Sequence, residues 1–224
     1  MKAILFDLDG TLLNRDASVK VFVEKQYERL HRYVGHIEKQ QYTERFIELD
    51  QRGYVWKDKV YEQLVQEFAL TTITSEQLLE DYLQQFQYSC VAFPNLMEML
   101  EALKQAGYKL GMITNGFGQF QMDNIKALQI ESFFDVILVS EWEGLKKPDE
   151  RIFLKALEQL QVAPCASIFV GDHPENDVKA ARHVGMKGVW KKDAGWNDVL
   201  ADAVIEDLLE LLPVIETFKE GATN

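Results

Sequence analysis

From Pro94 onward, short apolar runs alternate with amphipathic stretches, and this rhythm restricts the fold more than any other feature of the 224-residue chain. The runs at Lys109–Thr114, Val136–Ser140, Ser167–Val170 and Lys187–Trp190 are short and largely apolar, as expected of strands covered on both faces. The spacing predicts helices between them, over Leu96–Gln105, Gly118–Leu128, Glu150–Leu160 and Asn176–His183. In the third, Ile152, Phe153, Ala156, Leu157 and Leu160 fall on one face. Gly107 supplies a natural stop for the first. Ala203–Ile205 reads as a further short strand and Glu206–Phe218 as the last helix. Near the N-terminus, Ala3, Ile4, Leu5 and Phe6 form one more apolar run within Lys2–Asp7. Strand–helix alternation of this kind implies right-handed crossovers. The predicted class is α/β, a doubly wound parallel sheet with helices on both faces.

One stretch breaks the rhythm. Ala17–Ser89 holds no proline, has only Gly35 and Gly53 as breakers, and repeats apolar residues at helical spacing. Val19, Phe22, Val23, Tyr27 and Leu30 are one such set; Val60, Tyr61, Leu64, Val65 and Phe68 are another. It reads as a bundle of about four helices, the last opened by Ser75-Glu76 with Ser75 as N-cap. The expected division is an α/β core of residues 1–14 and 91–224 around a helical insert of residues 15–90. Within the insert, Arg52-Gly53-Tyr54-Val55-Trp56-Lys57 sets a breaker between aromatics and cations. The aromatics are expected to pack the insert's own small core, with stacking on a substrate base as the alternative.

Composition narrows the function. With 24 Lys plus Arg against 36 Asp plus Glu, the formal charge is −12, a poor match to a polyphosphate backbone. A nucleic acid polymer is therefore not an expected partner, whereas a small anion in a local pocket remains compatible. Cys90 and Cys165 stand far apart and suggest neither a disulfide framework nor a thiolate metal site. Asp7 interrupts the first apolar run too early for a signal peptide. No run approaches the roughly 20 apolar residues of a membrane helix. A cytoplasmic protein without membrane partners is expected. His31, His36, His173 and His183 show no paired ligand spacing.

In doubly wound sheets ligands bind beyond the carboxyl ends of the strands. Those ends read Asp7-Leu8-Asp9-Gly10-Thr11, Thr114-Asn115-Gly116 and Gly171-Asp172, with Asp177 five residues beyond the last; Lys146-Lys147-Pro148 precedes a helix. Taken singly, each has an ordinary explanation: a turn, an N-cap, a solvated lysine, acids at a helix N-terminus. Together they bring several carboxylates, a hydroxyl and a lysine to one edge of one sheet. Like charges about 4 Å apart repel by roughly 4 kcal/mol at an effective dielectric near 20. A divalent cation relieves that repulsion, and hard oxygen donors favour Mg²⁺. The set suits phosphoryl transfer.

At these residues the chain resembles the haloacid dehalogenase superfamily, in particular its phosphatase branch with a helical cap inserted after the first strand. The resemblance covers essentially the whole chain. It implies Asp7 as the nucleophile that becomes an aspartyl-phosphate, and Asp9 as the acid that protonates the leaving oxygen and then activates water. It further implies Thr114 and Asn115 on the phosphoryl oxygens, and Lys147 between phosphate and nucleophile. Mg²⁺ would be held by Asp7, the backbone carbonyl of Asp9 and Asp172, with Asp177 in support. The adjacent Lys146 is expected to face solvent. The superfamily's dehalogenases lack the second acid, and here Asp9 is present. A small phosphorylated metabolite is the expected partner, of the nucleotide or sugar-phosphate type, with the cap as the element that selects it. A phosphomutase and a non-catalytic phosphate-binding protein remain as alternatives, and oligomeric state is left open.

Overall fold

The computed structural model describes residues 1–220. The chain divides into two compact units, Arg15–Val91 and the remainder. Strand β1 (Ala3–Phe6) is buried along its whole length, the state its continuous apolar run requires.

The unit Arg15–Val91 is helical: α1 (Arg15–Arg29), the one-turn α2 (His31–Val34), α3 (Lys39–Asp50), α4 (Lys57–Glu67) and α5 (Ser75–Gln85). Its core is aromatic, with Phe22, Tyr42, Phe46, Tyr61 and Phe86 all buried. One buried carboxamide organises the polar atoms inside it. Gln26 donates to Leu78 O (3.2 Å) and Asp81 Oδ2 (2.9 Å), and its Oε1 accepts from the hydroxyls of Tyr61 (3.0 Å) and Tyr42 (3.4 Å). Buried polar atoms paired in this way avoid the cost of desolvation. Asp50, also buried, accepts from Arg15 at 2.8 Å and pairs with Lys57.

Two expectations for this unit need correction. The N-cap of α5 is Thr74, not Ser75: Gln77 N donates to Thr74 Oγ1 (3.3 Å) and Thr74 N to Gln77 Oε1 (3.0 Å), a reciprocal capping box. The aromatics of the 52–57 segment do not pack a core, since Tyr54 and Trp56 are each 64% exposed. The chain here passes through three consecutive positive-φ residues, Gln51, Arg52 and Gly53. That tight reversal breaks the helical periodicity, so spacing no longer decides which way the next side chains face.

The other unit continues with α6 (Leu96–Gln105), β2 (Lys109–Thr114), α7 (Gly118–Ala127), β3 (Val136–Val139), the one-turn α8 (Ser140–Glu143) and α9 (Glu150–Leu160). Then follow β4 (Ser167–Gly171), a π-helical turn (Pro174–Lys179), α10 (Ala180–His183), β5 (Lys187–Lys191), β6 (Ala203–Ile205) and α11 (Leu211–Glu220). All six strands run parallel in the order β3-β2-β1-β4-β5-β6, with helices on both sides of the sheet. On one face, α9 and α10 bury Ile152, Phe153, Leu157 and Ala181 against Leu5, Ile113 and Phe169; Phe153 meets Phe169 edge-on at 5.0 Å. Among the described residues, no helix is long and apolar enough to cross a membrane.

Two helices differ from expectation. An α-helix over Asn176–His183 is replaced by the π turn followed by α10, in which Val178 N donates to His173 O five residues back. The wider turn lets Asp177 approach Gly171 so closely that a β-carbon on Gly171 would collide with it. The last helix begins later, at Leu211. A capping box between Asp207 and Glu210 first opens a 3-10 turn, Leu208–Glu210, ahead of it.

Candidate active site

The strand order places the site. From β1 the chain steps outward through β2 to β3, then returns to the opposite side of β1 for β4. The carboxyl ends of β1 and β4 therefore flank the switch point where open parallel sheets bind ligands. Phe6 is in register with Val170, so Asp7 and Gly171-Asp172 leave the sheet side by side. Phe6 pairs equally with Met112 on β2, two residues before Thr114.

Lys147 lies at the centre, 3% exposed, with Nζ 2.6 Å from Asp7 Oδ1 and 2.7 Å from Asp177 Oδ1. Its position is fixed by a side chain from the end of β2. Asn115 accepts from Lys147 N and donates to Lys147 O, each at 2.9 Å. The Asn115 carboxamide thus holds the lysine's own backbone. Lys146, next in the chain, is exposed. Asp177 uses both oxygens: Oδ1 on Lys147, and Oδ2 accepting from His173 N at 3.0 Å. His173 is the N-cap of the π turn, its Nδ1 accepting from Glu175 N and Asn176 N. Neither Asp172 nor Asp177 serves as that cap.

Asp172 is held through its backbone, since Trp190 Nε1 donates to Asp172 O at 2.8 Å. Its carboxylate lies against the backbone of Gly10. A β-carbon there would sit 2.5 Å from Asp172 Oδ2, and φ at Gly10 is +85°; only glycine meets both conditions. The Thr11 hydroxyl donates to Asp7 Oδ2 at 3.4 Å. Asp9 is reached from α7, where Gln121 Nε2 donates to Asp9 Oδ2 (2.7 Å) and to Thr114 Oγ1 (2.7 Å).

The electrostatics of the cluster are unbalanced. Burial pushes the Asp7 carboxyl up; Lys147 offsets this only in part, and the neighbouring charge of Asp177 adds to the rise. Burial, with Asp7 and Asp177 nearby, pushes Asp172 well above the usual carboxylate range. Burial alone would lower the Lys147 ammonium, but the two carboxylates outweigh it and hold it up. Asp7, Asp172 and Asp177 each offer an oxygen, all within 4.8 Å of one another. An all-oxygen set with surplus negative charge fits a hard divalent cation such as Mg²⁺.

The match to a family is extensive: residues 4–191 fit the model of the haloacid dehalogenase-like hydrolases. The chain belongs to that family. Among relatives, the chain is 39% identical over 129 residues to a glyceraldehyde 3-phosphate phosphatase of Pyrococcus furiosus, covering 55% of the chain and 54% of the relative. It thus spans about half the length of that relative. A phosphoglycolate phosphatase of Aquifex aeolicus is 30% identical over 84% of the chain and 83% of its own length. Among solved structures, a HAD phosphatase from Thermococcus onnurineus is 32% identical with a TM-score of 0.67, covering 96% of this chain and 98% of that chain. A 2-haloacid dehalogenase from Pseudomonas syringae is 25% identical with a TM-score of 0.65, over 97% and 99%.

Sequence reasoning missed Gln121 and the capping role of His173. Gln121 and Asn124, three apart on α7, are both buried beside Ile125. Polar residues on the inward face of a helix demand partners, and that was the available signal.

Proposed function

We propose that this chain is a Mg²⁺-dependent phosphatase that hydrolyses small phosphomonoesters through an aspartyl-phosphate on Asp7. The observation that carries the reading is the Asp7–Lys147–Asp177 chain of buried contacts at 2.6 and 2.7 Å, with Asp172 beside it at the switch point. Lys147 fixes Asp7 Oδ1, leaving Oδ2, with its longer contact to Thr11, to attack phosphorus. As the Asp7–phosphorus bond forms, the bond to the leaving oxygen breaks, and Asp9 gives that oxygen its proton. Asp9 then takes a proton from water, which attacks phosphorus, releases inorganic phosphate and restores the Asp7 carboxylate. Thr114 would donate to a phosphoryl oxygen, and Lys147 would neutralise charge developing there. Asp7, the backbone carbonyl of Asp9 and Asp172 would hold the metal. Asp177, with both oxygens engaged, would keep Lys147 in place. When bound, Mg²⁺ supplies positive charge against the phosphoryl oxygens.

Asp9 favours this reading over dehalogenation, since a carbon–halogen bond needs no acid at the leaving atom while an ester oxygen does. The relatives' names suggest the compounds to try. Inorganic phosphate release should be followed from glyceraldehyde 3-phosphate, phosphoglycolate, phosphoserine, nucleotides and sugar phosphates, with Mg²⁺ and with excess chelator, alongside halide release from a 2-haloacid. Chelator-sensitive phosphate release supports the proposal. Halide release without phosphate release, or conversion of a sugar phosphate to its isomer without phosphate release, overturns it.

A further inference from the structure

Gln121 is buried on α7 with its carboxamide turned toward the strand ends. Its Nε2 donates to Asp9 Oδ2 and Thr114 Oγ1, both at 2.7 Å, and to the Asn115 carbonyl at 3.3 Å; its Oε1 accepts from Asn124 Nδ2 at 3.3 Å. The chemistry fixes the amide's direction, because a carboxylate must be met by N–H and the Asn124 amide group must be met by oxygen. Gly116, at φ +151°, has no side chain to obstruct it: a β-carbon there would lie 2.9 Å from Gln121 Cγ.

We infer that Gln121 is a positioning residue that holds the Asp9 carboxyl and the Thr114 hydroxyl in their working orientations. An aspartate side chain has two rotatable bonds, and an acid placed 1 Å from its best position loses much of its effect. A direct N–H contact to Oδ2 selects one orientation of the carboxyl. The same amide group donates to Thr114 Oγ1, so the hydroxyl accepts from the helix and its own proton is directed elsewhere, toward the phosphoryl oxygens. One side chain thereby couples the leaving-group side of the site to the phosphate side. The inference rests on the proposed role of Asp9 as general acid.

The test is the dependence of rate on the leaving group. An aryl phosphate such as p-nitrophenyl phosphate departs without a proton, whereas an alkyl phosphate needs one. First-turnover rates would be measured for both compounds in wild type, Gln121→Met, Gln121→Glu and Asp9→Asn. Gln121→Met keeps the length and removes the donor; Gln121→Glu keeps an acceptor for Asn124 and removes the donor, a second variant should the first not fold. The aryl-to-alkyl rate ratio should rise about tenfold or more in a folded Gln121 variant, a part of the roughly 10²–10⁴-fold that general acid catalysis contributes. A ratio unchanged from wild type, whether or not both rates fall together, overturns the inference. Asp9→Asn separates the two levels: if it raises the ratio while the Gln121 variants do not, only the inference fails, and if it too leaves the ratio unchanged, the role of Asp9 fails first.

Discussion

Each unit of this molecule buries a carboxylate against cations, and the two solutions differ in sign. In the helical unit, Asp50 meets both Arg15 and Lys57, one acid with two bases. At the sheet edge, among the described residues, one cation, Lys147, pairs with both Asp7 and Asp177, while Asp172 stands nearby. At separations of 4–5 Å each unrelieved pair of acids repels by about 3–4 kcal/mol. The first cluster is completed by the chain itself and has the character of a structural brace. The second is left with surplus negative charge, the kind of imbalance that the proposed cation would relieve and that is common at functional sites.

The strongest challenge to this contrast is a pair of substitutions. Asp7→Asn should reduce phosphate release by about 10⁴-fold or more, the scale on which loss of a nucleophile acts. It should leave the thermal midpoint near that of wild type, because Lys147 keeps Asp177 and the crowding of acids is eased. Wild-type turnover in Asp7→Asn would remove the covalent mechanism. Asp50→Asn should act in the opposite sense, costing about 3 kcal/mol in urea unfolding because two cations lose their shared acid. A cost below about 1 kcal/mol would show that the pair behaves as a surface ion pair and that the comparison is misplaced.

The fold was legible where residue spacing and burial coincide. The first apolar run is β1, and the one-face pattern of Ile152, Phe153, Ala156, Leu157 and Leu160 is the buried face of α9. The strand-end residues were legible too, because the topology of a doubly wound sheet brings successive carboxyl ends to one edge, and Asp7, Lys147 and Asp177 do meet there. What stayed hidden was set by partners distant in sequence. Asn115 holds Lys147 across 32 positions and Gln121 holds Asp9 across 112, and no local period encodes either. The π turn at Pro174–Lys179 was equally invisible, since it follows from where Asp177 must reach.

Metal and pH sharpen the contrast at the next level. Because burial raises the folded-state proton affinity of Asp172, the metal-free fold retains a proton that the unfolded chain has released once pH exceeds the ordinary carboxylate range. Metal-free stability should therefore fall as pH rises through that window. If Asp172 holds Mg²⁺ as proposed, the metal would take the place of that proton, so its stabilising effect should grow with pH. At a hundredfold excess over its dissociation constant the gain is about 2.7 kcal/mol, a rise of roughly 5–10 °C for a chain of this size. Differential scanning fluorimetry at pH 6 and pH 8 should show the larger Mg²⁺ shift at pH 8, and Asp172→Asn should lose most of it. An equal shift in Asp172→Asn would mean that the cation binds elsewhere.

The smallest expected effect concerns two rings of the helical unit. Tyr54 and Trp56 are each 64% exposed, whereas Tyr42 and Tyr61 are fully buried in the same unit. Replacing an exposed ring removes little apolar contact, so Tyr54→Ala and Trp56→Ala should each change urea stability by no more than about 0.5 kcal/mol. Tyr61→Ala removes a buried ring and leaves Gln26 Oε1 without one of its two hydroxyl donors, and should cost about 3 kcal/mol or more. A loss above about 1 kcal/mol at Trp56 would mean that its ring is packed after all, and that the reversal at Gln51–Gly53 folds the segment inward. Small losses at both rings would establish that the unit's stability resides in its buried aromatics and the Gln26 network, so that residues 54–56 can vary without cost to the fold.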